Sequence, residues 1–155
     1  LLSNGPLWRS SRDGFAPSCH CLCPYNGVVQ LRIFTDGSCR PNPGQMRIGV
    51  VALRGEAVAH RVSQPMGYGT SNQAELLAVR EALRWAPQDE PVELHVDSKY
   101  VCGVISRGWN VLKNTELVAE IRELYRSRPR IRMVKVRGHA GILGNELADR
   151  AAAQP

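Results

Sequence analysis

The chain has 155 residues, 43% of them apolar and 22% charged, which suits one globular domain with a buried core and excludes a wholly disordered chain. No uninterrupted apolar run approaches the roughly 18 residues that a membrane-spanning helix requires. The formal net charge of +6 favours polyanionic partners, because neutralising phosphates releases their counterions.

Residues 1–28 mix Ser, Gly, Pro and Cys without a helical or alternating period, and are expected to form a disordered leader or linker ahead of a domain at 29–153. The five cysteines show no disulfide framework. Cys19, Cys21 and Cys23 alternate beside His20 with no second ligand pair downstream, and Cys39 and Cys102 stand far apart. Reduced thiols in a cytosolic protein fit this pattern better than zinc ligands.

Val29, Leu31, Ile33 and Thr35 alternate with Gln30, Arg32 and Phe34, predicting a strand that ends at Asp36. After the turn residues PNPG, RIGVVAL (47–53) and AVAHRV (57–62) predict two more strands joined by a turn at Gly55 and Glu56. TSNQAELLAVREALRWA (70–86) is the strongest helix, with Thr70 and Gln73 spaced as a capping box and Pro87 as its stop. Leu76, Val79, Leu83 and Ala86 form its apolar stripe, flanked by Ala74, Ala78 and Ala82.

PVELHVD (91–97) predicts a strand, and Ser98 caps a short helix over 98–108. Asn114 is expected to cap a helix over 115–127, in which Leu117, Ile121 and Leu124 share a face. RIRMVKV (130–136) reads as a strand and GNELADRAAA (144–153) as a terminal helix. The order β-β-β-α-β-α-α-β-α predicts an α/β fold: a mixed five-stranded sheet, antiparallel in its first three strands and parallel thereafter, with helices on both faces.

Four acids stand at telling places along this order. Asp36 and Asp97 end the first and fourth strands, and ligand sites in open α/β sheets gather at the carboxyl ends of strands. Glu75 lies in the first half of the Ala-rich helix, and Asp149 lies among alanines in the last one. Each alone reads as a turn former, a helix cap or a solvated side chain. Brought together they would repel unless a proton or a cation intervened. Mg²⁺ fits an all-carboxylate site that leaves room for water and phosphate, and two such ions suit phosphodiester hydrolysis.

FTDGSCRPNPG (34–44), TSNQAEL (70–76), VDSKY (96–100) and GHAGILGNELADRAA (138–152), in this order, resemble type 1 ribonuclease H. The likeness extends from about Gln30 to Ala153. It implies a ribonuclease H-like fold and endonucleolytic hydrolysis of the RNA strand of RNA–DNA hybrids, leaving 5′-phosphate and 3′-hydroxyl ends. It makes Asp36, Glu75, Asp97 and Asp149 the ligands of two Mg²⁺ ions, with Mn²⁺ as a substitute. His139 corresponds to the family's mobile histidine, which assists proton transfer or product release. Glu146, three residues before Asp149, either tunes metal occupancy or is an ordinary surface glutamate.

The same resemblance places Cys39, Asn42 and Asn72 near the RNA minor groove, and Thr70 and Asn114, which also read as helix caps, against a DNA phosphate. Glu75 can accept a bond from the 2′-hydroxyl that separates RNA from DNA. Some features depart from the family. Only SRGWNVLKN (106–114) stands where several relatives carry a basic, Trp-rich protrusion. Trp109, with Arg107 and Lys113, is a small substitute that either lies against deoxyribose or packs on the domain. Lys99 replaces a Gln of many relatives, and Tyr68 replaces an Arg that helps hold the DNA phosphate. The expected protein is a cytoplasmic monomer with no membrane partner. Two other readings share these motifs: the ribonuclease H portion of a retroelement polyprotein, and a non-catalytic nucleic-acid-binding module on the same fold.

Overall fold

The computed structural model describes residues 29–138 and 141–153. The leader or linker read at 1–28 lies outside the described residues, as does His139. The first strand, β1 (Leu31–Cys39), runs past Asp36, because Gly37, Ser38 and Cys39 stay paired with Ile48, Arg47 and Met46 of β2 (Gly44–Arg54). Backbone pairing also carries β3 (Ala57–Gly69) beyond its apolar half at 57–62. Its second half, SQPMGYG, shows no apolar alternation, yet Gly69 still pairs with Gly44. Gly55 turns the β2–β3 hairpin at φ +62°, a left-handed conformation that costs glycine nothing.

Helix α1 (Ser71–Trp85) begins with both halves of a capping box. Thr70 Oγ1 accepts from the Gln73 backbone N–H at 3.3 Å, and Gln73 Oε1 accepts from the Thr70 N–H at 2.9 Å. After β4 (Val92–Val96), the Ser98 hydroxyl accepts from Val101 N–H at 3.3 Å and starts α2 (Lys99–Ser106). Then come α3 (Thr115–Arg126), β5 (Ile131–Lys135) and α4 (Leu143–Ala153). Asn114 corrects the sequence reading in one respect. It precedes α3 but makes no side-chain cap bond, and instead adopts the left-handed conformation at φ 59° that Asn tolerates better than most residues.

The sheet order is β3-β2-β1-β4-β5, with β1 antiparallel to β2 and parallel to β4, and β4 parallel to β5. Ile33, Val50, Leu94 and Val96 face one layer, where Leu76, Val79 and Leu83 of α1 meet residues of α2 and α3. Phe34, Val51 and Leu53 point the other way and are covered by Ala148 of α4. Phe34 is fully buried, which contributes about 1.5–3 kcal/mol by area removed from water. A Cβ on Gly144 would lie 2.2 Å from its ring, so only glycine lets α4 settle so low on this face.

Candidate active site

The β1–β4 register fixes the first relationship. Thr35 is paired with Val96 in parallel, so Asp36 and Asp97 are the next residue along each of two neighbouring strands. Glycines then bring up the other acids. A Cβ on Gly37 would stand 2.3 Å from Ala74 C and Glu75 N, so the bare backbone there lets α1 close on β1 and sets Glu75 beside Asp36. Gly49 faces Asp36 across the β1–β2 ladder. A Cβ on it would lie 2.1 Å from Ala148 O and 2.7 Å from Ala152 N, so α4 lies against the strand and brings Asp149 to the same end of the sheet. Gly138 runs past Asp97, with its would-be Cβ 3.1 Å from Asp97 Oδ2.

The electrostatics report the crowding. The Asp36 carboxyl is pushed up to about 7, first by burial and then by the negative charges of Asp97, Asp149 and Glu75, against the opposing Gly37 N–H. Glu75 is raised by burial, opposed by its hydrogen bond with Ser98. Ser98 therefore serves two elements, accepting from α2 and donating to Glu75. Among the described residues, no three His, Cys, Asp or Glu side chains form a ready-made metal cluster. The donors are nonetheless hard carboxylate oxygens, one of them holding its proton near neutrality for want of a positive charge. That set fits Mg²⁺, which keeps several waters and binds through one or two carboxylates plus substrate oxygens rather than in an all-protein cage. Glu146 lies one turn before Asp149 in α4 and is half-buried.

On the α1 side, a groove of about 650 Å³ brings together Asn42, Thr70, Asn72 and Asn114, with Lys113 and Tyr100 also lining it. Four of the expected substrate contacts thus share one concavity. Asn42 Oδ1 accepts from Ser71 N–H at 3.2 Å, tying the first loop to the start of α1. Cys39 is buried, with its thiol within 3.2 Å of Pro41 O and 3.3 Å of Gly69 O, so its side chain belongs to the loop's own packing. Trp109 does not line the groove. Its indole packs on Gly103 of α2, where a Cβ would lie 2.2 Å from the ring, and Arg122 Nη2 donates to its carbonyl at 2.8 Å. Lys99 is exposed at the first position of α2.

The sequence alone does not single out Gly37 and Gly49 as the close contacts they are, nor Tyr100 as a groove residue. It also leaves unmarked a smaller pocket, about 240 Å³, on the α4 face beside Asp149, edged by Arg40 and Arg47. The available signal was alternation: Asp36 and Ser38 fall on one face of β1, and their partners Gly49 and Arg47 on the same face of β2.

Known proteins resemble this chain in sequence and fold. The RNase H family profile matches residues 29–155. Ribonuclease H of Mesorhizobium japonicum is 38% identical over 136 residues, covering 79% of this chain and 76% of its own length. Ribonuclease H of Aromatoleum aromaticum is also 38% identical over 136 residues, covering 79% of this chain and 88% of its own. The RNase H1 structure from the archaeon Halobacterium salinarum NRC-1 aligns with a TM-score of 0.69 at 26% identity, over 79% of this chain and 94% of that one. LC11-RNase H1, isolated from compost by a metagenomic approach, aligns at 0.68 and 28% identity over 81% and 96%. Its complex with an RNA/DNA hybrid aligns at 0.65 and 27% identity, over 79% and 96%.

Proposed function

The chain belongs to the type 1 ribonuclease H family of enzymes, and on that premise we propose that it hydrolyses the RNA strand of RNA–DNA hybrids, leaving 5′-phosphate and 3′-hydroxyl ends. The observation that supports this reading best is the set of close approaches at Gly37 and Gly49, which puts Glu75 and Asp149 on either side of the Asp36–Asp97 pair. A structure of the similar LC11 enzyme with an RNA/DNA hybrid supports the substrate class. The two sequence relatives above are each named as a ribonuclease H and not as part of a polyprotein, which does not favour the polyprotein reading.

Asp36, Glu75, Asp97 and Asp149 would hold two divalent ions, Mg²⁺ or Mn²⁺ in its place, which when bound supply an activated water and stabilise charge on the departing 3′ oxygen. The chain's own groups do the rest. Ser98 fixes the Glu75 carboxyl, which accepts the 2′-hydroxyl of the RNA and so tells it from DNA. Asn72, Asn42 and the backbone at Cys39 line the minor groove. Thr70 and Asn114, with Lys113 beside them, take a phosphate of the DNA strand in the larger groove. His139 moves the proton at the leaving oxygen or helps release product, and Glu146 tunes metal occupancy or product release. With only 107–114 between α2 and α3, hybrid affinity rests on few contacts. The catalytic domain is assigned to 29–153, preceded by a leader or linker and acting as a monomer in the cytoplasm.

The test is incubation of a labelled hybrid with Mg²⁺, comparing the wild type with Asp97→Asn. Cleavage by the wild type alone is expected, with 5′-phosphate on the new ends. Equal cleavage by both proteins overturns the assignment.

A further inference from the structure

Beyond the pair Asp36–Gly49, the next pair on the α4 face of the sheet is Ser38–Arg47. With Arg40, Gln45, Asp149 and Ala152, these two residues enclose the pocket of about 240 Å³. That is below the roughly 300–1,000 Å³ typical of small-molecule sites, so it suits a single group rather than a whole ligand.

The two arginines there are in no ion pair among the described residues, whereas Arg54, Arg80, Arg84, Arg126 and Arg132 each pair with a glutamate. Arg47 Nη2 reaches only Ser63 Oγ, at 3.3 Å, and its Nε is shielded from water without any hydrogen-bond partner. Nor are the two arginines needed to cap α4. Two of its last carbonyls are already satisfied, Ala152 O by the Ser38 hydroxyl and Ala151 O by the Ser63 hydroxyl, each at 2.6 Å. Two guanidinium groups with spare donors, at the rim of a small cavity in a basic chain, call for an oxyanion.

We propose that Arg40 and Arg47 form a subsite for a phosphate of the RNA strand adjoining the scissile one. This rests on the ribonuclease H reading above, which puts the scissile phosphate at the acids that Asp149 joins. The DNA strand is assigned to the larger groove on the α1 side, so the phosphate that reaches this pocket belongs to the RNA. Subsite occupancy anchors the RNA strand on the far side of Asp149 and compensates for the short α2–α3 connection.

The experiment measures hybrid binding by fluorescence anisotropy in chelator, over a series of salt concentrations. The proteins are the wild type, Arg40→Ala, Arg47→Ala, Arg47→Lys and, as a charge control, Arg126→Ala, all checked for unchanged melting temperature. Each of the two alanine variants in the pocket should lower the slope of log K against log salt by about 1, with Arg126→Ala matching wild type and Arg47→Lys nearly so. A neutral methylphosphonate linkage, with a 2′-deoxy sugar at that position, is then walked along the RNA strand. It should abolish the Arg47→Ala penalty at one or two adjacent positions beside the cut, and the same linkage in the DNA strand should not. Slopes identical to Arg126→Ala, or a penalty erased only by DNA-strand linkages, would overturn the subsite. Wild-type cleavage with Mg²⁺ is scored separately: if it fails, the ribonuclease reading falls, whereas cleavage with unaltered slopes removes the subsite alone.

Discussion

Asp36 and Gly49 face each other across the β1–β2 ladder, and the side chain missing from Gly49 is the space in which α4 lies. Position of the acid on α4 is thereby set by a glycine on a strand. Gly49→Ala would put a methyl group against the Ala148 carbonyl and the Ala152 amide, both backbone atoms that cannot rotate away. Such overpacking costs about 1–3 kcal/mol. A displacement of Asp149 by even about 1 Å can lower kcat by about a hundredfold. The expected result is a lower melting temperature together with a fall in kcat that exceeds any change in KM. A normal kcat in a folded Gly49→Ala variant would contradict the role given to this contact.

Asp36 predicts an unusual pH response in the metal-free protein. Its carboxyl is held at about 7 in the folded state against an ordinary aspartate value of 3.8, so the folded state binds the proton more tightly than the unfolded one. The group favours folding most below its unfolded value, and that advantage declines as the pH rises to about 7. A rise of this size is worth on the order of a few kcal/mol. In chelator, urea unfolding at pH 5 and pH 8 should therefore show the wild type losing stability relative to Asp36→Asn. Added Mg²⁺ should restore the wild type at pH 8 and leave Asp36→Asn largely unaffected.

Ser98 links helix initiation to the site, since its oxygen accepts from Val101 N–H and its hydroxyl hydrogen bonds Glu75. Ser98→Ala should destabilise the protein by about 0.5–2 kcal/mol through the lost cap. It should also lower kcat, because the Glu75 carboxyl loses the group that orients it. Ser98→Thr keeps both bonds and is expected to recover most of each loss. Chemical denaturation and steady-state kinetics on the same three proteins decide the matter.

Asn114 allows the backbone and the side chain to be tested apart. Its φ of 59° suits glycine, so Asn114→Gly should leave the melting temperature near wild type while removing the amide from the larger groove. Asn114→Ala keeps a Cβ in a left-handed backbone, at a cost of about 1–2 kcal/mol. If the amide holds a DNA phosphate, both variants raise KM for the hybrid several-fold, and only the alanine variant melts earlier. An unchanged KM in Asn114→Gly would remove the residue from the substrate contacts.

The element order and the sheet were legible because periodicity and capping residues are local signals: Thr70, Gln73 and Ser98 do in the structure what their spacing announces. Strand ends were less legible. The tail of β3 carries no apolar alternation, and its length comes from hydrogen bonds to β2 that no single-strand pattern encodes. Asn114 looked like a side-chain cap because the residue type favours caps, but a left-handed backbone uses the same residue differently. The four acids were legible as a resemblance, while the reason they meet was not. Gly37 and Gly49 act through contacts with helices far along the chain, and nothing local distinguishes such a glycine from one in a turn. Arg47 was hidden for a similar cause, since its neighbours Ser38 and Ala152 come from opposite ends of the domain.

The two serine clamps on α4 have a consequence for how the protein comes apart. Ser38 on β1 and Ser63 on β3, strands on either side of β2, donate to the carbonyls of Ala152 and Ala151. Among the described residues, α4 is the only helix on its face of the sheet, and it carries one acid while the other three belong to the opposite layer or the strands between. Its release is therefore expected to be a separable opening, with a smaller free energy than global unfolding. Hydrogen exchange should find the α4 amides opening as a group before those of β1 and α1. In such a state the molecule remains folded and keeps Asp36, Glu75 and Asp97 in place, but carries no Asp149 among them. Weakening both clamps, as in a Ser38→Ala, Ser63→Ala double variant, would convert a fixed activity into one gated by temperature well below the melting point.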